Sequence, residues 1–183
     1  MTIDISLHIQ PLSLTDAPVL ADLARRAYCD HYLPLWHDNG AWYLQKCFTP
    51  EQLEKELGDP NSRFFRVNYQ NEPVGYLKLN LAQPESSYIH TDFVPPANSL
   101  ELERIYFLKK ATGKGIGSAA MQFVDDFARQ QGKTAVWLKA MDSSHAAIAF
   151  YEKQGYRLCG THRLDFPAMK EEFWGMIILE KKL

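Results

Sequence analysis

The chain lacks any cysteine pair at metal-binding or redox spacing: Cys29, Cys47 and Cys159 stand far apart and no Cys-x-x-Cys occurs. This argues against a zinc knuckle, a thioredoxin-type site and a disulfide framework, and reads as reduced thiols in a cytoplasmic protein. There is no surplus of one charge either. Twenty Lys and Arg face 22 Asp and Glu, a formal net charge of −2, so no general pull toward nucleic acid or acidic lipid is expected. Apolar runs such as 176–179 fall far short of the ~20 residues that a membrane helix needs. The opening MTIDISLHIQ carries no Lys or Arg and alternates apolar with polar, which reads as a strand and not as a leader peptide. Ten Gly and ten Pro in 183 residues exclude collagenous and disordered compositions. The six histidines show no His-Glu-x-x-His or similar spacing, so no metal is expected.

What remains is an ordinary globular composition, 46% hydrophobic and 13% aromatic, at a length that suits one domain over 1–183. Ile3, Ile5, Leu7 and Ile9 share a face of the first strand, which Pro11 ends. Thr15 or Asp16 can cap a helix with Val19, Leu20, Leu23, Ala24 and Ala27 on one face. Thr49-Pro50-Glu51-Gln52 predicts a second helix with a reciprocal capping box and Pro at its first position. Between these helices lies the aromatic segment YLPLWHDNGAWYL.

Strands are expected at 63–69 and 74–81 around a turn, then a long polar loop over 82–99 with a short strand at 87–90. A strand over 100–108 leads through a glycine-rich turn into a helix carrying Ile116, Ala119, Ala120, Phe123, Val124 and Phe127 on one face. A strand at 135–140, a helix at 144–154 and strands at 156–164 and 173–181 complete the order. Trp137 and Trp174 read as strand residues in the core. The unit over 100–140 is a βαβ crossover, so a mixed α/β domain with some parallel strands follows.

The densest chemical signal is ERIYFLKKATGKGIGSAAM, a strand running through glycines directly into an amphipathic helix. Such a turn aims backbone N–H groups and the helix N-terminus at a phosphate or pyrophosphate. Lys109, Lys110 and Lys114 add positive charge. The spacing does not fit a Walker A loop. A dinucleotide fingerprint would need a third glycine where Ser118 stands. A purely structural glycine turn is the plain alternative.

Downstream, AVWLKAMDSSHAAIAFYEKQGYRLCG places Ala147, Ile148, Phe150, Tyr151, Gly155 and Tyr156 in a strand–turn–helix pattern. Together the two segments resemble the signatures of the GNAT N-acetyltransferases, most of all their PaiA-type and spermidine/spermine-type members. Gly115 and Gly117 fall on the two small positions of that family's coenzyme A loop. Thr112 stands where Gln or Arg is usual, and Ser144 where Asn is usual. The resemblance implies an α+β fold with a central mixed, twisted sheet flanked by helices, its fourth and fifth strands parallel and splayed. It implies acetyl-CoA as cosubstrate, held by Thr112, Gly113, Lys114, Gly115, Ile116, Gly117 and Ser118, with Ile105, Tyr106 and Phe107 presenting backbone to the pantetheine arm. Ser144 and Phe150 border the same site.

The chemistry so implied is attack of an amine on a thioester, which needs a proton acceptor, a carbonyl donor and a proton for the leaving thiolate. By resemblance Glu103 is the base, with Glu101 the alternative on the same strand face, and Tyr151 is the acid. A carboxylate pair on a strand, with Glu103 paired to Arg104 or a lysine, is the plain reading of those acids. Trp36, Asp38 and Trp42, with His37 and Tyr43, fall where the family builds its acceptor pocket. Rings beside acids suit a cationic amine, and core packing explains the rings equally. Glu85, His90 and Asp92 are further candidates, and His145 reads as exposed. The expected acceptor is a small amine such as a polyamine, or a peptide amino group; a homodimer is also implied. The alternatives are an acyl-CoA sensor of the same fold without turnover and, from the glycine turn alone, a nucleotide-dependent oxidoreductase.

Overall fold

The computed structural model describes residues 7–82 and 93–183. The positions Ile3, Ile5, Glu85, His90 and Asp92, and the short strand expected at 87–90, lie outside the described residues.

Alternating side chains form β1 (Leu7–Pro11), and α1 (Ala17–Cys29) follows after a single 3-10 turn. Asp16 sits at the start of α1, but its carboxylate accepts from the Ser13 amide at 2.8 Å and makes no cap bond to the helix. The aromatic segment contains a short helix that the sequence reading did not place, α2 (Ala41–Cys47), entered through Gly40 at φ +82°. In α3 (Pro50–Leu57) Thr49 Oγ1 accepts from the Gln52 amide at 3.2 Å, as expected. The reciprocal half of the box is missing, because Gln52 Nε2 donates instead to Glu56 Oε1 at 3.1 Å.

β2 (Ser62–Tyr69) and β3 (Glu72–Asn80) form a hairpin whose turn residues Gln70 and Asn71 both have positive φ, as two-residue hairpin turns of the primed type require. β4 (Ser99–Phe107) leads to α4 (Ile116–Gln130), β5 (Ala135–Met141), α5 (His145–Lys153), β6 (Arg157–Arg163) and β7 (Gly175–Lys182). Trp174 lies just before β7, after a 3-10 turn at Glu171–Phe173, and is only half-buried, so its expected place in a core strand is corrected. Trp137 is buried in β5 as expected. Among the described residues no helix is long and apolar enough to cross a membrane.

One sheet takes all seven described strands in the order β1-β2-β3-β4-β5-β7-β6. Every neighbouring pair is antiparallel except β4 and β5. The βαβ unit sets that exception, since a strand that returns through a helix re-enters the sheet in the same direction. α4 buries Ile116, Ala120, Met121 and Val124 against Leu77, Leu102 and Leu138 on one face. On the other, α1 and α3 cover Phe64 and Tyr76 with Leu20, Leu23, Ala24 and Leu53.

The parallel pair is short. Only Ser99, Leu100 and Glu101 find partners, in Ala135, Val136 and Trp137, and beyond them the two strands part. On its other side β4 stays bound to β3 as far as Gly75↔Phe107. Gly75 permits this close approach: a Cβ there would lie 2.3 Å from Phe107 Cδ1 and 2.5 Å from the Tyr106 carbonyl oxygen. Gly75→Ala should therefore destabilise the protein by roughly 2 kcal/mol through overpacking, measurable as a lower urea midpoint at an unchanged m-value. An unchanged midpoint would show that β4 can yield there without cost.

Candidate active site

Where β4 and β5 part, the molecule holds a cavity of approximately 420 Å³. The register of β4 decides what faces it. Lys78 pairs with Arg104 but Leu79 pairs with Leu102, which leaves Glu103 as the extra residue of a β-bulge. A bulge puts two consecutive side chains on one face. Glu103 and Arg104 thus both meet the side on which Glu101 lies, while Leu102 and Ile105 go to the α4 core.

Four charged groups from three elements close on one another here. Glu56 of α3 accepts from Arg104 through both oxygens, at 2.9 and 3.3 Å, and meets Lys78 Nζ at 2.9 Å. Glu103 takes Lys78 Nζ at 2.6 Å and Arg104 at 3.3 Å. The Asn80 side-chain amide donates to Glu103 at 2.7 Å and to Glu101 at 2.9 Å. Both carboxylates therefore do share a face, and Glu103 has the cationic partners that its plain reading named.

The environments drive the two acids apart. Burial alone would raise Glu103, but Arg104 and Lys78 outweigh it and hold its carboxyl below the usual range; Glu56 is lowered in the same way. Glu101 lacks such a partner. Burial, helped by the nearby Glu103 charge, pushes it up despite the bond from Asn80.

Aromatic side chains build the opposite wall. Trp36 Nε1 donates to the Tyr28 hydroxyl at 2.9 Å, and the Trp36 ring stacks on Tyr43 at 4.9 Å and on Phe166 at 6.1 Å. The β6–β7 connection carries Phe166 and is tied to the α1–α2 segment by an isolated bridge between Trp36 and Met169, and by bonds from the His37 amide to Ala168 and from the Lys170 amide to Leu35. α5 brings Tyr151 to the same cavity. Burial, with the neighbouring Tyr32, pushes the Tyr151 hydroxyl well up, so it stays protonated.

The glycine turn flanks the N-terminus of α4. Gly113 and Gly115 have φ of +77° and +74°, and a Cβ at either would meet nothing within 4 Å. Among the described residues no protein group accepts from the amides of Gly113 to Ser118, which leaves a row of donors at the positive end of a helix. Gly117 is small for a different reason than open approach: a Cβ there would sit 3.3 Å from the Phe150 ring of α5. Gln154 Nε2 donates to Ser118 Oγ at 3.1 Å and fastens the same two helices together.

Of the residues singled out by sequence, Trp36, Tyr43, Glu101, Glu103, Ile105, Tyr106, Ser144, Ala147 and Tyr151 line this cavity. Phe107 does not; its carbonyl lies 3.0 Å from His31 Nε2. Neither do Asp38 and Trp42. The Asp38 carboxylate accepts from the Gly40 amide at 3.0 Å and the Trp42 amide at 2.7 Å, and so starts α2, while Trp42 packs behind Trp36 and Phe166. Ser144 begins α5 without a side-chain cap bond, and His145 is exposed as expected. Sequence reasoning missed Glu56, Lys78, Asn80, Tyr28, Tyr32 and Phe166. Only the i, i+4 spacing of Tyr28 and Tyr32 gave a local sign that they act together.

The family model described as the acetyltransferase (GNAT) family matches residues 21–156. The chain belongs to the GNAT acetyltransferase family. An uncharacterised N-acetyltransferase of Lactobacillus delbrueckii subsp. lactis is 27% identical over 160 residues, covering 85% of this chain and 87% of its own. The spermidine N(1)-acetyltransferase of Thermoplasma acidophilum is 22% identical over 167 residues, 88% of this chain and 94% of its own. Among solved structures, the PaiA N-acetyltransferase of T. acidophilum in complex with coenzyme A superposes with a TM-score of 0.72 at 20% identity, covering 98% of this chain and all of that one. The ribosomal-protein-alanine N-acetyltransferase of Brucella melitensis gives 0.69 at 20% identity, covering 96% and 99%. These likenesses confirm the GNAT fold expected from the sequence, and the expected splaying of the parallel strands is seen in the short β4–β5 register.

In this GNAT protein the Glu56 pair is nearly buried, with Arg104 and Glu56 only 8% and 14% exposed. Stripping one partner from such a pair costs about 3 kcal/mol. Because the carboxyls of Glu56 and Glu103 are lowered, their stabilisation is present above the ordinary carboxylate range and is lost as pH falls through their depressed values. Glu101, being raised, contributes in the opposite sense: its share is present at low pH and is lost as pH rises through its elevated value. Glu56→Gln should thus be less stable than wild type by about 3 kcal/mol at pH 7, with the gap closing toward pH 3. Urea titrations of both proteins across that range measure it, and a gap independent of pH would assign Glu56 a packing role only.

Proposed function

We propose that the whole chain acts as one acetyl-CoA-dependent N-acetyltransferase that moves an acetyl group to a primary amine by direct attack in a ternary complex. The observation that carries this reading is the convergence of Glu101, Glu103 and Tyr151 on one cavity in the gap between β4 and β5. Family membership supports the reaction class. The unpartnered amides of Gly113 to Ser118 fit the pyrophosphate of coenzyme A, and the open space at Gly113 and Gly115 fits a backbone that a ligand must approach closely. Thr112 in place of Gln or Arg leaves that row of amides intact.

The division of labour follows from the two carboxyl environments. Glu103, held ionised, is already matched by Lys78 and Arg104 and shares the Asn80 amide with Glu101. Glu101, raised by burial, is the better matched acceptor for the proton that the ammonium must lose. In this reading the base falls on Glu101, with Glu103 beside it as a fixed charge. The free amine attacks the thioester carbonyl carbon, forming the C–N bond. As the C–S bond breaks, the sulfur leaves as a thiolate facing the Tyr151 hydroxyl, which donates a hydrogen bond to it. The nitrogen then gives up its second proton, and the thiolate gains one to end as free coenzyme A.

Titration calorimetry should show acetyl-CoA binding at micromolar affinity and no binding of NAD. Tyr151→Phe should lower kcat by about a hundredfold while leaving the acetyl-CoA Kd within about twofold. Joint loss of both would make Tyr151 a packing residue. Binding of acetyl-CoA with no thiol release from any amine would favour the non-catalytic sensor.

A further inference from the structure

The charge balance of the cavity limits which amine it can hold, an inference that rests on the acetyltransferase reading above. We infer that the acceptor is a primary amine with a single cationic nitrogen on an apolar, ring-sized body, and that polyamines are poor substrates.

Counter-charge is the first argument. Lys78 and Arg104 together balance Glu56 and Glu103, so these four groups contribute no net charge to the cavity. Glu101 is left as the lining carboxylate that makes no ion pair among the described residues; its side chain accepts from Asn80 instead. Lys139 of β5 lines the same space and further reduces the negative field there. One substrate ammonium can be matched, by Glu101 with Glu103 beside it. Among the described residues that line the cavity, a second ammonium finds no further carboxylate.

The far wall supplies the second argument. Leu35, Trp36, Tyr43, Phe166 and Met169 line it, a surface of rings and aliphatic groups. Rings of this kind could hold a distal ammonium through their faces, but this chain already sets a cation behind them, against Trp42 and Phe166. Lys46 Nζ lies 4.6 Å from the centroid of the Trp42 ring and 5.2 Å from that of Phe166. A polyamine lying along this wall would bring its distal charge toward Lys46 on the other side of Phe166. Asp38, which might have answered it, has both oxygens committed to the amides that start α2. An aromatic or branched apolar body meets only compatible surface.

The test measures free thiol release with acetyl-CoA saturating and two matched amine classes, 2-phenylethylamine and 3-phenylpropylamine against putrescine and spermidine. At pH 7.5 kcat/KM should favour the phenylalkylamines by roughly tenfold or more. Lys46→Glu, a change on an exposed side chain, should move the ratio toward spermidine by roughly fivefold or more. A wild-type preference for spermidine would overturn this inference and leave the acetyltransferase reading standing. An unmoved ratio in Lys46→Glu would overturn the electrostatic argument for the far wall. Thiol release from neither class, with acetyl-CoA bound, would overturn the inference, and the transferase reading falls with it only if a peptide amino group also gives no release.

Discussion

Everything that the site does depends on two parallel strands that stop pairing after three residue pairs. A sheet that continued past Glu101 and Trp137 would satisfy its own backbone and leave no room for a ligand. By parting, β4 and β5 leave peptide groups on facing edges without a strand partner, and buried groups of that kind must be satisfied by something else. β4 bears this cost because its other edge is held firmly. β3 follows it to Phe107 through the side-chain-free Gly75, and α1 ties down its end, with Asp30 accepting from the Lys109 amide at 2.8 Å.

The electrostatic design follows from the same strand. The bulge at Glu103 turns three polar side chains of β4 to one face, which a regular strand could not do over so few residues. Taking such charges out of water is costly unless each finds a partner. Here α3 and β3 return Glu56, Lys78 and Asn80 to meet them. The carboxyl left without a cationic partner among the described residues is Glu101, and burial raises it. Neutralising one acid and leaving its neighbour raised is a common physical route to acid–base chemistry at ordinary pH.

How much of this could be read from the sequence depends on how local each feature is. The hairpin at Gln70 and Asn71, the βαβ unit, the helix after the glycine turn and the face shared by Glu101 and Glu103 follow from short-range rules, and all are present. The Thr49 cap formed, but Gln52 turned to Glu56, because a neighbour one helical turn on competes with the cap for the same side chain. α2 was missed because its start depends on a left-handed Gly40 and on Asp38, residues that read equally well as loop. Glu56 and Lys78 carry no local signal that sets them apart from other charges on a helix and a strand. Only the bulge, which no periodicity announces, brings Arg104 and Glu103 to them. Trp36 lines the site while Trp42 stands behind it, and identical composition could not separate the two.

The joining of the α1–α2 segment to the β6–β7 connection has a consequence for how the protein comes into being. Lys170 reaches Pro34 across 136 residues of chain, whereas the hairpins and the βαβ unit close over far shorter spans. Contacts so distant in sequence pay the largest loop-closure entropy and form late. During synthesis the ribosome releases the glycine turn and α4 well before Phe166 and Met169 emerge. The glycine turn and α4 can therefore form while the aromatic wall of the cavity is still incomplete. That wall is then the last part of the cavity the nascent chain closes, and the first that local opening of the C-terminal hairpin would remove.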